Sequence, residues 1–294
     1  MEKINIKTIK NAGFCYGVER AYKLAIKELK ENKNTVYSLG DLIHNKQVVE
    51  ELNELGAKPI KKVGEVSNEK NKSIIIRAHG VSKEINQELK DNDMKIVDAT
   101  CPFVKVPQNA VKEYGNKGYF IFIAGDEGHP EVEGIKSYVD ENQRIITNNI
   151  EDLSKKLEKL EKIKKKLPKK ATLVSQTTLS FEILSEIALF LMKDIEELVV
   201  INSICDATNI RQKETRELAK TSDIMIIIGG HHSANTKRLQ EIANEYTQAI
   251  QIETEYELKK AWFEGKKNIG ITAGASTPNW IIERIEERVK KYTN

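Results

Sequence analysis

Three cysteines occupy the same place in a module that is repeated three times along the chain, and they are the residues with the most chemistry to offer. Cys15, Cys101 and Cys205 each follow a short apolar, strand-like run and precede an amphipathic, helix-like run. They lie roughly a hundred residues apart, so no two of them share a local ligand loop. They could hold one metal group only if the modules surround a common centre. The sequence therefore predicts three thiolates that converge on one metal site.

The repeat continues beyond the cysteines. A second apolar run ends in a polar cluster at nearly the same distance after each cysteine, and the matching residues are His44, His129 and Ser233. A third apolar run then closes each module. Strand-like runs that alternate with helical patterns predict βαβ units with parallel sheets, whose ligands collect beyond the carboxyl ends of the strands.

This pattern predicts an α/β fold of three pseudo-threefold-related domains, with mainly parallel sheets around a central metal cluster. The predicted domains are 14–98, 99–200 and 201–294, and a strand within 1–13 is expected to pair into the third domain.

Composition describes an ordinary globular protein and excludes several classes. The 294 residues are 39% hydrophobic and 31% charged, with a net charge of +3, which is too small to argue for nucleic acid. The apolar runs are far shorter than the roughly 20 residues of a membrane helix, and the N-terminal stretch has no apolar signal core. We expect a cytoplasmic, reducing location and no structural disulfide.

One stretch, residues 154–170, is unusually rich in lysine. Leucines at 153, 157 and 160 give it an apolar stripe at helical spacing, and its glutamates alternate with lysines, which favours a solvated helix over a polyanion site. We expect Pro168 to end this helix before a strand that starts near Ala171.

Zinc and an iron–sulfur cluster are the two metal groups that three such thiols could hold. Structural zinc usually has closely spaced cysteine pairs, which this chain lacks, although a Cys₃His site with one of His44, His79 or His129 stays open. A [4Fe–4S] cluster fits a threefold arrangement better, because three thiolates would leave one of its irons open for chemistry. The favoured cofactor is one [4Fe–4S] cluster per chain.

Candidate anion ligands follow the predicted strands as well. Hydroxyl, amide and imidazole groups near helix starts suit a phosphate or a diphosphate. The candidates are His44, Asn45, His79, Ser233, Asn235 and Ser276. Helix capping is the alternative for each serine and asparagine, and neither histidine is a good cap.

The second module offers a carboxylate together with hydroxyl groups. His129 and Glu131 lie in GHPEVEG, and Thr177 lies in SQTTLS. Glu131 in a buried cavity beside a negatively charged cluster would have a raised pKa and could donate a proton. Glu133 is the neighbouring alternative, and a solvent-facing helix glutamate is the ordinary role for either residue.

The ordered motifs GFCYGVERA, LIHN, AHGVS, DATCP, GHPEVEG, SQTTLS, ICDATNIRQ and TAGAST resemble those of the 4-hydroxy-3-methylbut-2-enyl diphosphate reductase family. The resemblance runs from about residue 4 to about residue 288. It implies a cloverleaf of three α/β domains around a [4Fe–4S] cluster on Cys15, Cys101 and Cys205.

The resemblance also implies roles for individual residues. Glu131 would be the proton donor. The substrate and its diphosphate would be bound by His44, His79, His129, Thr177, Ser233, Asn235 and Ser276. One departure is Ala234, which stands where the family has a second serine, so a hydroxyl contact is lost there.

The reaction implied by the resemblance is reductive dehydroxylation to isopentenyl and dimethylallyl diphosphate, with ferredoxin or flavodoxin as electron donor. Two rivals stay open: a hydro-lyase that uses the cluster only as a Lewis acid, and a non-catalytic iron or redox sensor. The first would need no electron donor, and the second does not explain the convergent anion ligands.

Overall fold

The computed structural model describes residues 4–32, 35–66, 72–92, 94–162 and 168–293. The strands are β1 (Asn5–Thr8), β2 (Val36–Leu39), β3 (Ala57–Ile60), β4 (Ser73–Ile76), β5 (Lys95–Asp98), β6 (Phe120–Ala124), β7 (Arg144–Thr147), β8 (Lys170–Ser175), β9 (Glu197–Ile201), β10 (Ile224–Ile228), β11 (Ala249–Ile252) and β12 (Asn268–Ala273). The helices are α1 (Tyr16–Glu31), α2 (Lys46–Glu54), α3 (Lys83–Asp91), α4 (Pro102–Asn116), α5 (Pro130–Lys136), α6 (Ile150–Lys162), α7 (Phe181–Leu191), α8 (Asp206–Ala219), α9 (Ala234–Asn244) and α10 (Asn279–Thr293).

These strands form three four-stranded sheets in which every pairing is parallel. The sheet orders are β3-β2-β4-β5, β7-β6-β8-β9 and β1-β12-β10-β11. In each sheet the strand that leads to a cysteine lies at an edge: β1 before Cys15, β5 before Cys101 and β9 before Cys205. The predicted α/β fold class with parallel sheets is confirmed.

Central strands are buried on both faces, which explains their isoleucine-rich composition. All five residues of β10 are buried, whereas the edge strand β1 alternates between exposed and partly buried positions. In β6, Phe122 packs against α6 and α7, while Ile121 and Ile123 pack against α4 and α5. The alternation of side chains along the strand therefore puts helices on both faces of this sheet.

The chain divides into two compact units. One comprises Met1–Glu19, Ile43–Glu54 and Asp206–Asn294, and it contains the sheet of β1, β10, β11 and β12. The other comprises Arg20–Leu42 and Leu55–Cys205, and it contains the other two sheets. In the first unit β1 pairs in register with β12, from Asn5 with Asn268 to Thr8 with Ile271. The division into three domains stays a prediction.

The lysine-rich stretch, residues 154–170, starts within a helix, as predicted. Its first part lies in α6, in which Leu153 and Leu157 are buried, and the next strand starts at Lys170. Residues 163–167 lie outside the described ranges, as does the side chain at position 160, so the expected helix end near Pro168 is not defined. Across the ranges that the structure describes, no helix has both the length and the apolar character needed to cross a membrane.

Candidate active site

Each cysteine makes the same backbone contact in its own sheet. The backbone N–H of Cys15 donates to the carbonyl of Ala275 over 3.2 Å, that of Cys101 to Ala78 over 2.9 Å, and that of Cys205 to Thr177 over 3.0 Å. The acceptors lie in the loops that follow β12, β4 and β8, and each of these strands is the neighbour of the edge strand that leads to the cysteine. The three positions are therefore locally equivalent.

The cysteine side chains are suited to binding a metal. Each stands immediately before a helix, and Cys101 is the N-cap of α4. The positive end of the helix dipole stabilises the negative charge of a thiolate ligand. All three side chains are partly exposed, and none of these described residues forms a disulfide. Three accessible thiols at equivalent helix starts therefore fit the donor set of an iron–sulfur cluster. Cys101 and Cys205 lie in one unit, and Cys15 lies in the other.

Glu131 is buried beside Thr177. It lies in the first turn of α5 and is 1% exposed. The backbone N–H of Thr177 donates to Glu131 Oε1 over 2.7 Å, and the Thr177 hydroxyl contacts Oε2 at 2.9 Å. Burial raises the pKa of Glu131 to about 7, although the two bonds from Thr177 oppose the shift. A carboxyl group with this pKa carries a proton at neutral pH about half of the time and can donate it.

Thr177 also contacts the loop of a cysteine, since its carbonyl accepts the backbone N–H of Cys205. The residue thus bonds to Glu131 through its N–H and its hydroxyl and to Cys205 through its carbonyl. The candidate proton donor and one candidate metal ligand are therefore joined through a single residue.

Two imidazole rings lie together in the same unit. The rings of His79 and His129 meet edge to face, with centroids 5.6 Å apart. His129 is the N-cap of α5, and its Nδ1 accepts the backbone N–H of Glu131 over 3.2 Å. Because Nδ1 acts as an acceptor, the proton of a neutral ring stands on Nε2.

The other unit contains the remaining candidate anion ligands. Ser233 is the N-cap of α9, and its Oγ accepts the backbone N–H of Thr236 over 3.3 Å, which leaves its own hydroxyl hydrogen to donate elsewhere. Asn235 is 5% exposed, and its amide oxygen and nitrogen have no hydrogen-bond partner among the described residues. A buried amide without partners is costly, so this group is a candidate for binding a ligand or a water molecule.

Neighbouring loops complete this group. A Cβ atom added to Gly230, in the loop before Ser233, would stand 2.9 Å from the carbonyl oxygen of His44. Ser276 directly follows Ala275, the residue that accepts the N–H of Cys15. Capping proves to be the role of the Asn45 side chain, whose Oδ1 accepts the backbone N–H of Val48 over 3.0 Å.

Comparison with known proteins identifies the family. The profile described as "LytB protein" matches residues 6–290. The chain belongs to the LytB family. Among similar curated proteins, the 4-hydroxy-3-methylbut-2-enyl diphosphate reductase of Clostridioides difficile is 45% identical over 282 residues, which cover 96% of this chain and 98% of that protein. The protein of the same name from Geobacter metallireducens is 43% identical, with coverage of 96% and 95%.

Solved structures agree with this assignment to the LytB family. One, described as (E)-4-hydroxy-3-methyl-but-2-enyl diphosphate reductase, the terminal enzyme of the non-mevalonate pathway, is 40% identical and matches with a TM-score of 0.69, covering 98% of this chain and 99% of that one. The E-1-hydroxy-2-methyl-but-2-enyl-4-diphosphate reductase from Plasmodium falciparum is 27% identical, with a TM-score of 0.88 and coverage of 99% and 89%. The resemblance of the motifs is thus confirmed, and so is the expectation of an oxidoreductase.

Gln108 is a buried polar residue near these groups that the motifs do not reveal. It lies in α4, it is 7% exposed, and its Nε2 has no hydrogen-bond partner among the described groups. A Cβ atom on Gly134 would stand 2.9 Å from this nitrogen, and one on Gly80 would stand 3.3 Å from it. Gln108 therefore fills the space between the loop after His79 and the helix that carries Glu131. The sequence around Gln108 does not single it out, because its pattern is that of an ordinary amphipathic helix.

Proposed function

We propose that the protein reduces (E)-4-hydroxy-3-methylbut-2-enyl diphosphate to isopentenyl diphosphate and dimethylallyl diphosphate. The reaction consumes two electrons and two protons: one proton leaves with the C4 hydroxyl as water, and the other adds to carbon. The names of the curated relatives at 45% and 43% identity support this substrate.

The bonded set of Glu131, Thr177 and Cys205 is the observation that carries the proposal. A reductive dehydroxylation needs a proton for the departing hydroxyl, and Glu131 has a pKa of about 7 and is buried away from bulk water. Its link through Thr177 to a cysteine loop supports proton transfer close to the metal centre. In this proposal Glu131 is the general acid, and the Thr177 hydroxyl orients the hydroxyl group of the substrate.

The proposed cofactor is a [4Fe–4S] cluster on Cys15, Cys101 and Cys205. Their equivalent backbone contacts and partial exposure support a shared role. When bound, the cluster would pass the two electrons from an external donor to the substrate one at a time and would supply the Lewis acidity that the reaction needs. Reduced ferredoxin or flavodoxin is the proposed external electron donor.

The diphosphate would be bound by donors from the loops that lead into helices. Ser233 retains a hydroxyl hydrogen, and the buried amide of Asn235 has no hydrogen-bond partner among the described residues. His129 lies beside His79, and its Nδ1 accepts the backbone N–H of Glu131. We also assign His44, His79 and Ser276 to this group, on the strength of their family motifs. Charge-assisted hydrogen bonds of this kind are about twice as strong as neutral ones.

Anaerobic turnover tests the proposal. The purified protein should show broad visible absorbance and bind iron, and it should convert the hydroxylated diphosphate to the two products only with a reductant such as dithionite. Activity without an electron donor would favour a hydro-lyase. A colourless protein that binds zinc would contradict the cluster assignment, since zinc has no visible absorbance. A brown protein without turnover would favour a sensor.

A further inference from the structure

Arg211 is a buried cation with a structured set of backbone partners. It lies in α8, the helix that begins directly after Cys205, and it is 2% exposed. Its Nε donates to the carbonyl of Asn11 over 2.9 Å, and its Nη2 donates to the carbonyl of Gly13 over 2.8 Å. Its Nη1 lies 3.4 Å from the carbonyl of Ala207, one turn earlier in α8.

The two carbonyls that accept from outside the helix belong to the loop that leads to Cys15. Gly13 has a φ of +89°, a backbone conformation that favours glycine. A Cβ atom there would stand 2.9 Å from Asn279 Oδ1, so the loop is also closely packed. Glu214, one turn after Arg211, accepts the backbone N–H and the side-chain amide of Asn11. Two residues of α8, Glu214 and Arg211, therefore hold this loop through hydrogen bonds, and Arg211 is buried.

The charge of Arg211 matters as well as its geometry. A guanidinium group stays protonated in proteins, and Arg211 bonds to a carbonyl only two residues before Cys15. The Cα atoms of Gly13 and Cys15 are at most about 7.6 Å apart. Because Arg211 Nη2 lies 2.8 Å from the Gly13 carbonyl oxygen, the guanidinium stands within about 10 Å of the Cys15 Cα atom. A cluster held by thiolates becomes more negative when it is reduced, so a nearby buried cation favours the reduced form.

We infer that Arg211 is a positioning residue for the metal centre, which holds the Cys15 loop in place and raises the reduction potential of the cluster. The inference rests on the proposed function, because it requires the cluster to be present. The two effects are separable, since lysine keeps the charge of Arg211 without its planar set of donors, whereas glutamine keeps neither the charge nor the full set.

The test compares the wild type with Arg211→Gln, Arg211→Lys and Lys213→Gln, each purified anaerobically with its cluster. Lys213 is the matched control, because it is an exposed cation on the same helix. Two properties are measured: the midpoint potential, by a redox titration followed by electron paramagnetic resonance, and the rate of iron loss to a chelator. Neither readout depends on turnover.

We expect Arg211→Gln to lower the midpoint potential by about 59 mV, which is a tenfold change in a one-electron equilibrium. This is the size expected for unit charges about 12 Å apart at an effective dielectric constant of about 20, since the cluster would lie slightly beyond Cys15. Arg211→Lys should stay close to the wild-type potential but lose iron several-fold faster, and Lys213→Gln should change neither property.

An Arg211→Gln protein with wild-type potential would overturn the electrostatic role, and an Arg211→Lys protein with the wild-type rate of iron loss would overturn the positioning role. If Arg211→Gln does not fold, Arg211→Lys still tests positioning, and a fall in its potential as large as that expected for the glutamine variant would overturn the charge argument. A wild-type protein without a cluster would overturn the proposed function itself, which is a different result from an intact cluster that does not respond to Arg211.

Discussion

Replacing Glu131 by glutamine should remove most turnover and leave the fold and the proposed metal centre in place. Glutamine has nearly the same shape and can still accept the backbone N–H of Thr177 with its amide oxygen. It cannot transfer a proton. The substitution therefore removes the proposed chemistry of the residue while it keeps most of its contacts.

Two magnitudes follow from the environment of Glu131. General acid catalysis contributes about 10²- to 10⁴-fold to a rate, so the variant should lose turnover by a factor in that range. Because the pKa of Glu131 is about 7, the protonated fraction in the wild type falls about tenfold for each pH unit well above that value. Wild-type kcat should therefore decline with a midpoint near pH 7 as the pH rises, and the residual activity of the variant should lack this decline.

The assay is anaerobic turnover with dithionite as reductant and saturating substrate, measured between pH 6 and pH 9, with iron content determined for each preparation. Glu133→Gln is the matched control. Glu133 lies two residues further along α5. Its partly exposed carboxylate forms an ion pair with Lys136, with 2.6 Å between Nζ and Oε2. This control should keep both the rate and the pH profile of the wild type.

Two results would refute the assignment. If Glu131→Gln keeps near wild-type turnover with a full complement of iron, another group donates the proton. If Glu133→Gln loses turnover instead, the neighbouring carboxylate is the acid.

Three further predictions concern stability, the anion ligands and the metal ligands. Since burial raises the pKa of Glu131 from 4.5 to about 7, ionisation of this carboxyl costs the folded state up to roughly 3 kcal/mol as the pH rises through that window. The melting temperature of Glu131→Gln should therefore exceed that of the wild type at pH 8, and the difference should shrink towards pH 5.5. An equal difference at both pH values would show that ionisation of Glu131 is not its cause. Asn235→Ala should raise KM roughly 10- to 100-fold with little change in kcat, as for a lost hydrogen bond to a charged ligand. The control is Asn244→Ala, which removes the Oδ1 acceptor of the Ala249 N–H and should lower the melting temperature while it leaves KM unchanged. An Asn235→Ala protein with wild-type KM, beside an Asn244→Ala protein with raised KM, would exclude Asn235 from the diphosphate site. Cys101→Ser should lose iron, colour and activity together, and a variant that keeps all three would count against the shared site.

Much of the local architecture could be predicted from the sequence, because its periodicities are strong. The runs before Cys15, Cys101 and Cys205 form strands, and the runs after them form helices. These patterns report which face of an element is buried, and both faces of a central parallel strand require apolar residues. The lysine-rich helix α6 was predictable for the same reason, since Leu153 and Leu157 carry its apolar stripe.

Contacts between distant residues could not be predicted in the same way. Glu131 and Thr177 are far apart in sequence, and they meet because β6 and β8 are neighbours in one sheet, which no local pattern specifies. The capping role of Asn45 depends on the place where α2 begins, and helix boundaries are poorly defined by periodicity. The packing of Gln108 between Gly80 and Gly134 lacks any sequence signal, because these glycines lie elsewhere along the chain.

The pairing of β1 with β12 has a consequence for biosynthesis. Ribosomes release a chain from its N-terminus onwards, so Cys15 emerges before the strand that pairs with β1 and before the carbonyl of Ala275. The turn that presents the first thiol therefore cannot assume its final shape on a nascent polypeptide. Assembly of the proposed cluster on all three cysteines would accordingly follow the translation of β12.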